Sequence, residues 1–281
     1  VARKVFQEIE DSTQINIRKI IAENLSDNLN QTKYTQISIF SASMAIYKSI
    51  LNEIGAEIIK PKIFLGHSLG EYSALVAANF INITDASILI KKRGDLMQSS
   101  IEPNVSGMAA IIGKNADFIE GVINKNNLKI VIANDNSPMQ VVVSGLIKDI
   151  ISSEKTFSIN GVKRYVKLNV SAAFHSNFMN DAQSKLINEI DKINFKNSNL
   201  PIISNYNSTI NSQKDQIIYA LKNQMANKVR WTESIKRLEE TDITQIIEIG
   251  PGKVLSGLIT RITKKFDIKS IDKIEDLKKF N

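Results

Sequence analysis

The sequence predicts an α/β fold in which a small subdomain is inserted into a large domain that has a parallel sheet. Short apolar runs typical of strands alternate with amphipathic helical segments over residues 1–100 and again over 171–281. The intervening residues 101–170 show the order strand, helix, strand, strand, helix, strand, which is the ferredoxin-like arrangement. The chain has 281 residues, 43% of them hydrophobic, and can therefore bury a core in each part.

The first segment of the large domain is predicted to be mainly helical. Apolar residues recur at helical spacing within residues 1–24, Val5 and Ile9 among them, so one or two helices are expected there. Gly55 interrupts the next apolar pattern, and Pro61 leads into a strand. The elements expected up to residue 100 are a helix over 36–54, a strand over 62–66, and helices over 69–79 and 84–99, the last one capped by Thr84 and Asp85.

The inserted subdomain is predicted from its Val- and Ile-rich runs and the helical patterns between them. Strands are expected over 108–112, 130–132, 141–143 and 165–168, and helices over 115–125 and 146–156. Residues 134–138 are Asn, Asp, Asn, Ser and Pro, which favour turns, so a turn is expected there.

The α/β pattern of the large domain resumes after residue 171. Helices are expected over 178–191, 213–224, 231–240 and 253–264, and strands over 201–204 and 245–249. A Gly-Pro-Gly turn follows the second strand, and the lysine-rich tail is expected to fray.

The strand at 62–66 and the helix after it enclose the pattern Gly66-x-Ser68-x-Gly70. This is the nucleophile-elbow pattern of α/β-hydrolase-like folds, in which glycines leave room for a sharp turn that exposes the serine. The N–H of Leu69, at the start of the helix, is then available to bind an oxyanion. The alternative interpretation is an ordinary glycine-rich connection between a strand and a helix.

Histidine and cysteine counts narrow the chemistry. The chain has no cysteine, so a thiol nucleophile is excluded, and it has only two histidines, His67 and His175. His67 is adjacent to Ser68 on a tight turn, so its ring should point away from the serine hydroxyl. A serine mechanism would therefore use His175 as its general base. The alternative is that His175 is a hydrogen-bonded loop histidine.

The net charge and the hydropathy of the chain indicate which partners it can bind and where in the cell it is expected. The formal net charge of +7 indicates an anionic partner, but the lysines are spread along the chain, and no nucleic-acid-binding arm is expected. No apolar run approaches the length of a membrane span, which is about 18 residues. The absence of cysteine agrees with a reducing compartment, and a cytoplasmic location is expected.

Several segments of the sequence resemble the malonyl-CoA:acyl-carrier-protein transacylases, and they occur in the same order as in that family. The segments are Gly-His-Ser-Leu-Gly-Glu-Tyr-Ser-Ala at 66–74, Arg-Gly-Asp-Leu-Met-Gln at 93–98, Ser-Ala-Ala-Phe-His-Ser at 171–176, Gln-Met-Ala-Asn-Lys-Val-Arg-Trp at 224–231 and Glu-Ile-Gly-Pro-Gly-Lys-Val-Leu at 248–255. Together they span nearly the whole chain. The predicted ferredoxin-like insertion also fits this family.

The resemblance implies roles for individual residues. Ser68 would be the acylated nucleophile, and His175 would act first as base and then as acid. Gln224 would orient His175 through its backbone carbonyl in place of a triad carboxylate, and the Leu69 N–H would bind the oxyanion. Asp181 follows His175 closely in sequence, but it is expected to be a solvated helix residue.

The resemblance also implies how the substrate is bound. Arg93 would bind the free carboxylate of the malonyl group, although within Lys91-Lys92-Arg93 it would otherwise be interpreted as part of a solvated helix face. Phe174 resembles the malonyl-selective version of the histidine loop. Asn134, Asn136 and Ser137 would border the cleft, or they would simply form a turn.

The implied reaction is ping-pong transfer of a malonyl group from malonyl-CoA to an acidic, phosphopantetheinylated acyl carrier protein in fatty acid biosynthesis. It needs no metal and no cofactor, and a monomer is expected. The alternatives are a serine hydrolase or thioesterase, an inactive acyltransferase fragment, and a domain of a multidomain synthase. The family opens with a strand and a glutamine loop that supplies a second oxyanion donor. Residues upstream of Val1 are therefore expected.

Overall fold

The structure is a computed structural model that describes residues 1–23, 25–55, 59–102, 104–273 and 275–276. The first part of the chain contains α1 (Ala2–Thr13), α2 (Ile17–Glu23), a 3₁₀ helix (Leu25–Asn30), α3 (Thr32–Glu53), β1 (Phe64–Leu65), α4 (Gly70–Ala77) and α5 (Ile83–Gln98). The middle part contains β2 (Ser106–Ile112), α6 (Ala116–Lys125), β3 (Ile130–Ser137), β4 (Gln140–Leu146), α7 (Ile147–Ile159) and β5 (Arg164–Lys167). The last part contains a 3₁₀ helix (Asn177–Met179), α8 (Asn180–Ile190), β6 (Ile202–Ile203), β7 (Ile210–Asn211), α9 (Lys214–Lys222), α10 (Trp231–Glu239), β8 (Gln245–Ile249), α11 (Val254–Ile262) and β9 (Asp267–Ile271).

The middle part forms its own antiparallel sheet, with the strand order β3-β4-β2-β5. This order and the two crossing helices confirm the small antiparallel subdomain predicted from the sequence. Alternate residues of β2 lie on opposite faces of the sheet. Ala109 and Ile111 pack with α6 and α7 in one core, whereas Met108 and Ala110 belong to a second cluster that includes Phe174. The second face of this sheet is therefore in contact with the loop that carries His175.

The strands of the large domain do not form one parallel sheet in the described residues. β1 pairs with β6 in parallel, β7 pairs antiparallel with β6, and β8 and β9 form a separate parallel pair. The mixed α/β architecture is as predicted, but the all-parallel sheet is not. The chain between β6 and β7 is only residues 204–209, and a parallel return requires a crossover of about a dozen residues or more.

The pair β1–β6 lies between two hydrophobic cores. Ile202 belongs to the core formed with α3, α4 and α5, and Ile203 belongs to the core around Trp231. Both isoleucines are fully buried. Successive strand residues point to opposite faces, so this short strand is covered on both sides. The turn that follows β1 therefore begins at a strand pair that is buried on both faces.

Several predicted boundaries are wrong. Residues 134–137 continue β3 instead of forming a turn, and Pro138 and Met139 alone reverse the chain. These strand residues find a backbone partner outside the sheet: the Asp135 N–H donates to the Val229 carbonyl at 2.9 Å, and the Val229 N–H donates to the Ala133 carbonyl at 2.9 Å. The same residues also pair with β4, so the reversal of the chain is shorter than the turn-forming run at 134–138 predicts.

Other differences concern helix ends and the tail. Asn82 caps α5, because its side chain accepts from the Asp85 N–H at 2.7 Å, whereas Thr84 and Asp85 lie inside the helix. The tail predicted to fray contains β9, whose residues pair with β8 along its whole length, and residues 277–281 lie outside the described residues. In the part of the chain that is described, no helix has both the length and the apolar character needed to cross a membrane.

Candidate active site

Ser68 lies on the sharp turn between β1 and α4. Its φ of +51° is in the left-handed region, which is unusual for a residue other than glycine. A Cβ at Gly66 would lie 2.1 Å from the backbone carbon of Gly70, so only glycine fits at position 66. A Cβ at Gly70 would meet no atom within 4 Å, so the prediction that both glycines are needed for lack of room is wrong at Gly70.

Asn205 holds this turn from the neighbouring strand. Its side-chain oxygen accepts from the Ser68 N–H at 2.6 Å, and its side-chain amide donates to the Gly66 carbonyl at 2.7 Å. Asn205 follows β6, which runs parallel to β1, so the ends of both strands meet at the same edge of the sheet. The two hydrogen bonds compensate for the strained backbone of Ser68.

The Ser68 hydroxyl and the His175 imidazole are in direct contact. Oγ of Ser68 lies 2.8 Å from Nε2 of His175, and Nδ1 of His175 lies 3.1 Å from the backbone oxygen of Gln224. A carbonyl can only accept, so Nδ1 carries the proton and Nε2 is free to accept the serine proton. Burial, together with the charge of Arg93, lowers the pKa of His175 to about 3. The imidazole is therefore a neutral base at neutral pH.

The loop that carries His175 is tied to the small sheet. The Ala173 N–H donates to Oγ of Ser106 at 3.0 Å, and Oγ of Ser144 donates to the Phe174 carbonyl at 2.7 Å. Phe174 is partly buried and packs against both the main core and the small sheet. The loop of the base is thus held partly by β2 and β4, whereas the turn of the nucleophile is held by β1 and by Asn205, which follows β6.

Arg93, on α5, is 1% exposed and points at the nucleophile. Its Nη2 donates to Oγ of Ser68 at 3.0 Å and to Oε1 of Gln224 at 3.1 Å, and its Nη1 donates to Oε1 of Gln36. The guanidinium also lies 5.3 Å from the centre of the Tyr72 ring. Among the described residues no carboxylate forms an ion pair with Arg93. The buried Glu71 carboxylate attracts this cation only at longer range, so Arg93 can still form a direct ion pair with an anion bound beside the nucleophile.

Leu69, His67 and Asp181 were also considered in the sequence analysis. Leu69 is the residue before α4 and follows Ser68; its N–H has no hydrogen-bond partner within the described chain, so it is free to bind an oxyanion. His67 turns away from the serine, and its Nε2 lies 2.8 Å from Oδ1 of Asn136. Asp181 is exposed on α8 and does not contact His175. No group of three or more metal-ligating side chains in the described residues is arranged to hold an ion.

The side chains that sequence reasoning missed at this site are Gln36, Glu71 and Asn205. Glu71 lies in the first turn of α4 and is fully buried; its Oε2 accepts from Nε2 of Gln224 at 2.8 Å and from the Asn205 N–H at 3.1 Å. Asn205 could have been found, because it directly follows a predicted strand at the edge where ligands bind in α/β sheets. No local signal marks Gln36, which lies within a long helix.

Comparisons with known proteins agree with this geometry. Residues 1–279 match the family model described as the acyl transferase domain. The chain is 35% identical over 268 residues to the malonyl CoA-acyl carrier protein transacylase of Bacillus subtilis (strain 168), covering 94% of this chain and 83% of that protein. It is also similar to the crystal structure of an acyl-carrier-protein S-malonyltransferase from Bartonella henselae, with 34% identity, coverage of 99% and 89%, and a TM-score of 0.93.

A third similar structure contains a partner protein. It is a malonyl-transacylase in complex with a type II PKS acyl-carrier protein, 31% identical to this chain, with coverage of 99% and 90% and a TM-score of 0.93.

Proposed function

This chain belongs to the acyl transferase domain family, and from that premise we infer that it is a malonyl-CoA:acyl carrier protein transacylase. It transfers the malonyl group of malonyl-CoA to the thiol of an acyl carrier protein, for fatty acid or polyketide synthesis. The family resemblance and the transferase activity expected from the sequence are confirmed by these matches. The residue roles that follow are our proposal.

One observation carries the choice of substrate: the buried Arg93 beside Ser68 has no carboxylate ion pair among the described residues. A malonyl group differs from an acetyl group by one carboxylate. A guanidinium can donate two charge-assisted hydrogen bonds to such a carboxylate, which offsets the cost of taking it out of water. An uncharged acyl group would leave the Arg93 cation without a direct carboxylate partner.

The reaction proceeds in two half-reactions. His175 Nε2 takes the proton of the Ser68 hydroxyl as Oγ attacks the thioester carbonyl, and the Leu69 N–H stabilises the resulting oxyanion. The bond to sulfur breaks, and coenzyme A leaves with the proton from His175. In the second half-reaction His175 takes the proton of the carrier-protein thiol, whose sulfur attacks the malonyl ester. The ester bond then breaks, and His175 returns the proton to Ser68.

Intact-mass measurement tests this function directly. Mixing the protein with malonyl-CoA should add the mass of one malonyl group per chain, and addition of phosphopantetheinylated carrier protein should move that mass to the carrier. An unmodified protein after mixing would contradict the proposal. Loss of the label to water at the same rate with and without carrier protein would favour the serine hydrolase alternative.

Arg93→Ala should separate the transferase from a hydrolase of similar fold. We expect kcat/KM for malonyl-CoA to fall about 10²–10³-fold, since charge-assisted hydrogen bonds are lost, while the rate with acetyl-CoA changes much less. Lys92→Ala, an exposed neighbour in the same basic run, is the matched control and should keep the wild-type ratio. An unchanged preference for malonyl-CoA in Arg93→Ala would contradict the role of Arg93.

The finer parts of the prediction remain proposals. The parallel pairing of β1 with β6 and the serine turn after β1 support an α/β-hydrolase-like large domain made of residues 1–100 and 171–281. The separate core of the small sheet supports a ferredoxin-like subdomain at 101–170. The net charge of +7 supports an acidic carrier protein as partner. The monomeric state, the cytoplasmic location and the selectivity role of Phe174 stay predictions.

A further inference from the structure

Glu71 is a buried carboxylate in the first turn of α4 that takes no part in the chemistry described above. It is fully buried, and its Oε2 accepts from both Nε2 of Gln224 and the Asn205 N–H. Burying a carboxylate is unfavourable unless its hydrogen bonds are made. The hydrogen bonds from Gln224 and Asn205 therefore offset the cost of burying Glu71 one turn from the nucleophile.

The Gln224 side chain has only one orientation that satisfies its neighbours. Its Nε2 donates to Oε2 of Glu71 and to the Ser68 carbonyl, each at 2.8 Å, and its Oε1 accepts from Nη2 of Arg93 at 3.1 Å. A flipped amide would place its oxygen against two acceptors and its NH₂ group against the guanidinium. Glu71 supplies one of the two acceptors that exclude the flip.

The orientation of this amide matters for Arg93. Oε1 of Gln224 and Oε1 of Gln36 are the acceptors that hold the two terminal nitrogens of the guanidinium beside Ser68. We propose that Glu71 is a positioning residue that fixes the Gln224 amide and, through it, the Arg93 guanidinium that selects malonyl over uncharged acyl groups. The inference rests on the proposed malonyl transfer.

Protonation of Glu71 does not remove its acceptor. Burial raises the pKa of Glu71 to about 7. Both hydrogen bonds are accepted by Oε2, and Oε1 has no hydrogen-bond partner within the described chain, so a proton can reside on Oε1. Glutamine at position 71 would keep the same arrangement, with its oxygen at Oε2 and its NH₂ group at Oε1. The conservative variant should therefore keep the function.

The test compares three variants of Glu71 in the full chain. Glu71→Met keeps the length and removes the acceptor, Glu71→Asp withdraws the carboxylate by one methylene, and Glu71→Gln keeps the acceptor. Glu120→Gln, on the exposed face of α6, is the control. The rate of acylation by malonyl-CoA and by acetyl-CoA is measured for each variant by rapid quench and intact mass, and the ratio of the two rates is compared.

We expect the malonyl-to-acetyl ratio to fall at least about tenfold in Glu71→Met, which corresponds to loss of one hydrogen bond in the network. The ratio should also fall in Glu71→Asp, and this variant decides the question if the Met variant does not fold. The ratio in Glu71→Gln and in Glu120→Gln should stay within about threefold of the wild-type ratio.

Three results would overturn the proposal. They are an unchanged ratio in a folded Met or Asp variant, an equal loss of both acylation rates, which indicates only a structural role, and a loss in Glu71→Gln as large as in Glu71→Met. A wild-type protein that is acylated by neither thioester would overturn the proposed function and this inference together, so the two failures are distinguishable.

Discussion

Ser68→Ala is expected to abolish the malonyl-enzyme and to lower the transfer rate roughly 10⁴–10⁶-fold, as loss of a nucleophile does in serine enzymes. The hydroxyl oxygen is the only atom of this residue that contacts both the imidazole of His175 and the guanidinium of Arg93. The measurement is intact mass after mixing with malonyl-CoA, together with the steady-state rate of transfer to the carrier protein.

The control for this variant is Ser184→Ala, which removes an exposed serine hydroxyl on α8 and should keep full labelling. Serine and alanine both carry a Cβ at the φ of +51°, so the backbone strain is the same in both, and the variant is expected to fold like the wild type on thermal unfolding. A malonyl label that persists in folded Ser68→Ala would show that the nucleophile is another residue.

His175→Ala is expected to lower the rates of both half-reactions by about 10⁴-fold, because the same imidazole moves the proton in each direction. Acylation and transfer are measured separately by rapid quench, and both should slow. The matched control is Asp181→Asn, which tests whether a carboxylate near His175 in sequence orients the ring. Asp181 is exposed, and the backbone oxygen of Gln224 already accepts from Nδ1, so this control should be fully active.

The buried histidine also predicts a pH dependence. Burial lowers the pKa of His175 from 6.5 to about 3, so the base stays unprotonated, and acylation should not decline between pH 7 and about pH 5 on its account. Between pH 6.5 and about 3 the unfolded chain binds this proton and the folded chain does not. The stability contribution is thus present above pH 6.5 and is lost as the pH falls. An acid limb near pH 6.5 in the wild-type acylation rate, together with an NMR titration of the His175 ring at that pH, would contradict this.

The sequence predicts the parts of the site that depend on local pattern. The elbow around Ser68 follows from a strand, two glycines and a helix, and His175 follows from elimination of the other histidine. The backbone of Gln224 entered only through the family resemblance, because any residue has a carbonyl and no side-chain pattern marks this one.

What could not be predicted depends on contacts between distant segments. Asn205 and Glu71 are 134 positions apart, and their hydrogen bond exists only because β1 and β6 are neighbours. Residues 134–137, predicted as a turn, pair both with β4 and with Val229, which lies in another part of the chain. Local propensity carries no information about either pairing.

The nucleophile and the base are held by different sheets, and this affects how a destabilising substitution would change the activity. The nucleophile rests on β1 and β6, whereas the loop with the imidazole is held by Ser106 and Ser144 of the small sheet. The turnover rate therefore depends on how the core of the small sheet packs against the core of the large domain. A fault deep within the small core, remote from any substrate atom, would slow the enzyme while its helices and strands were still intact.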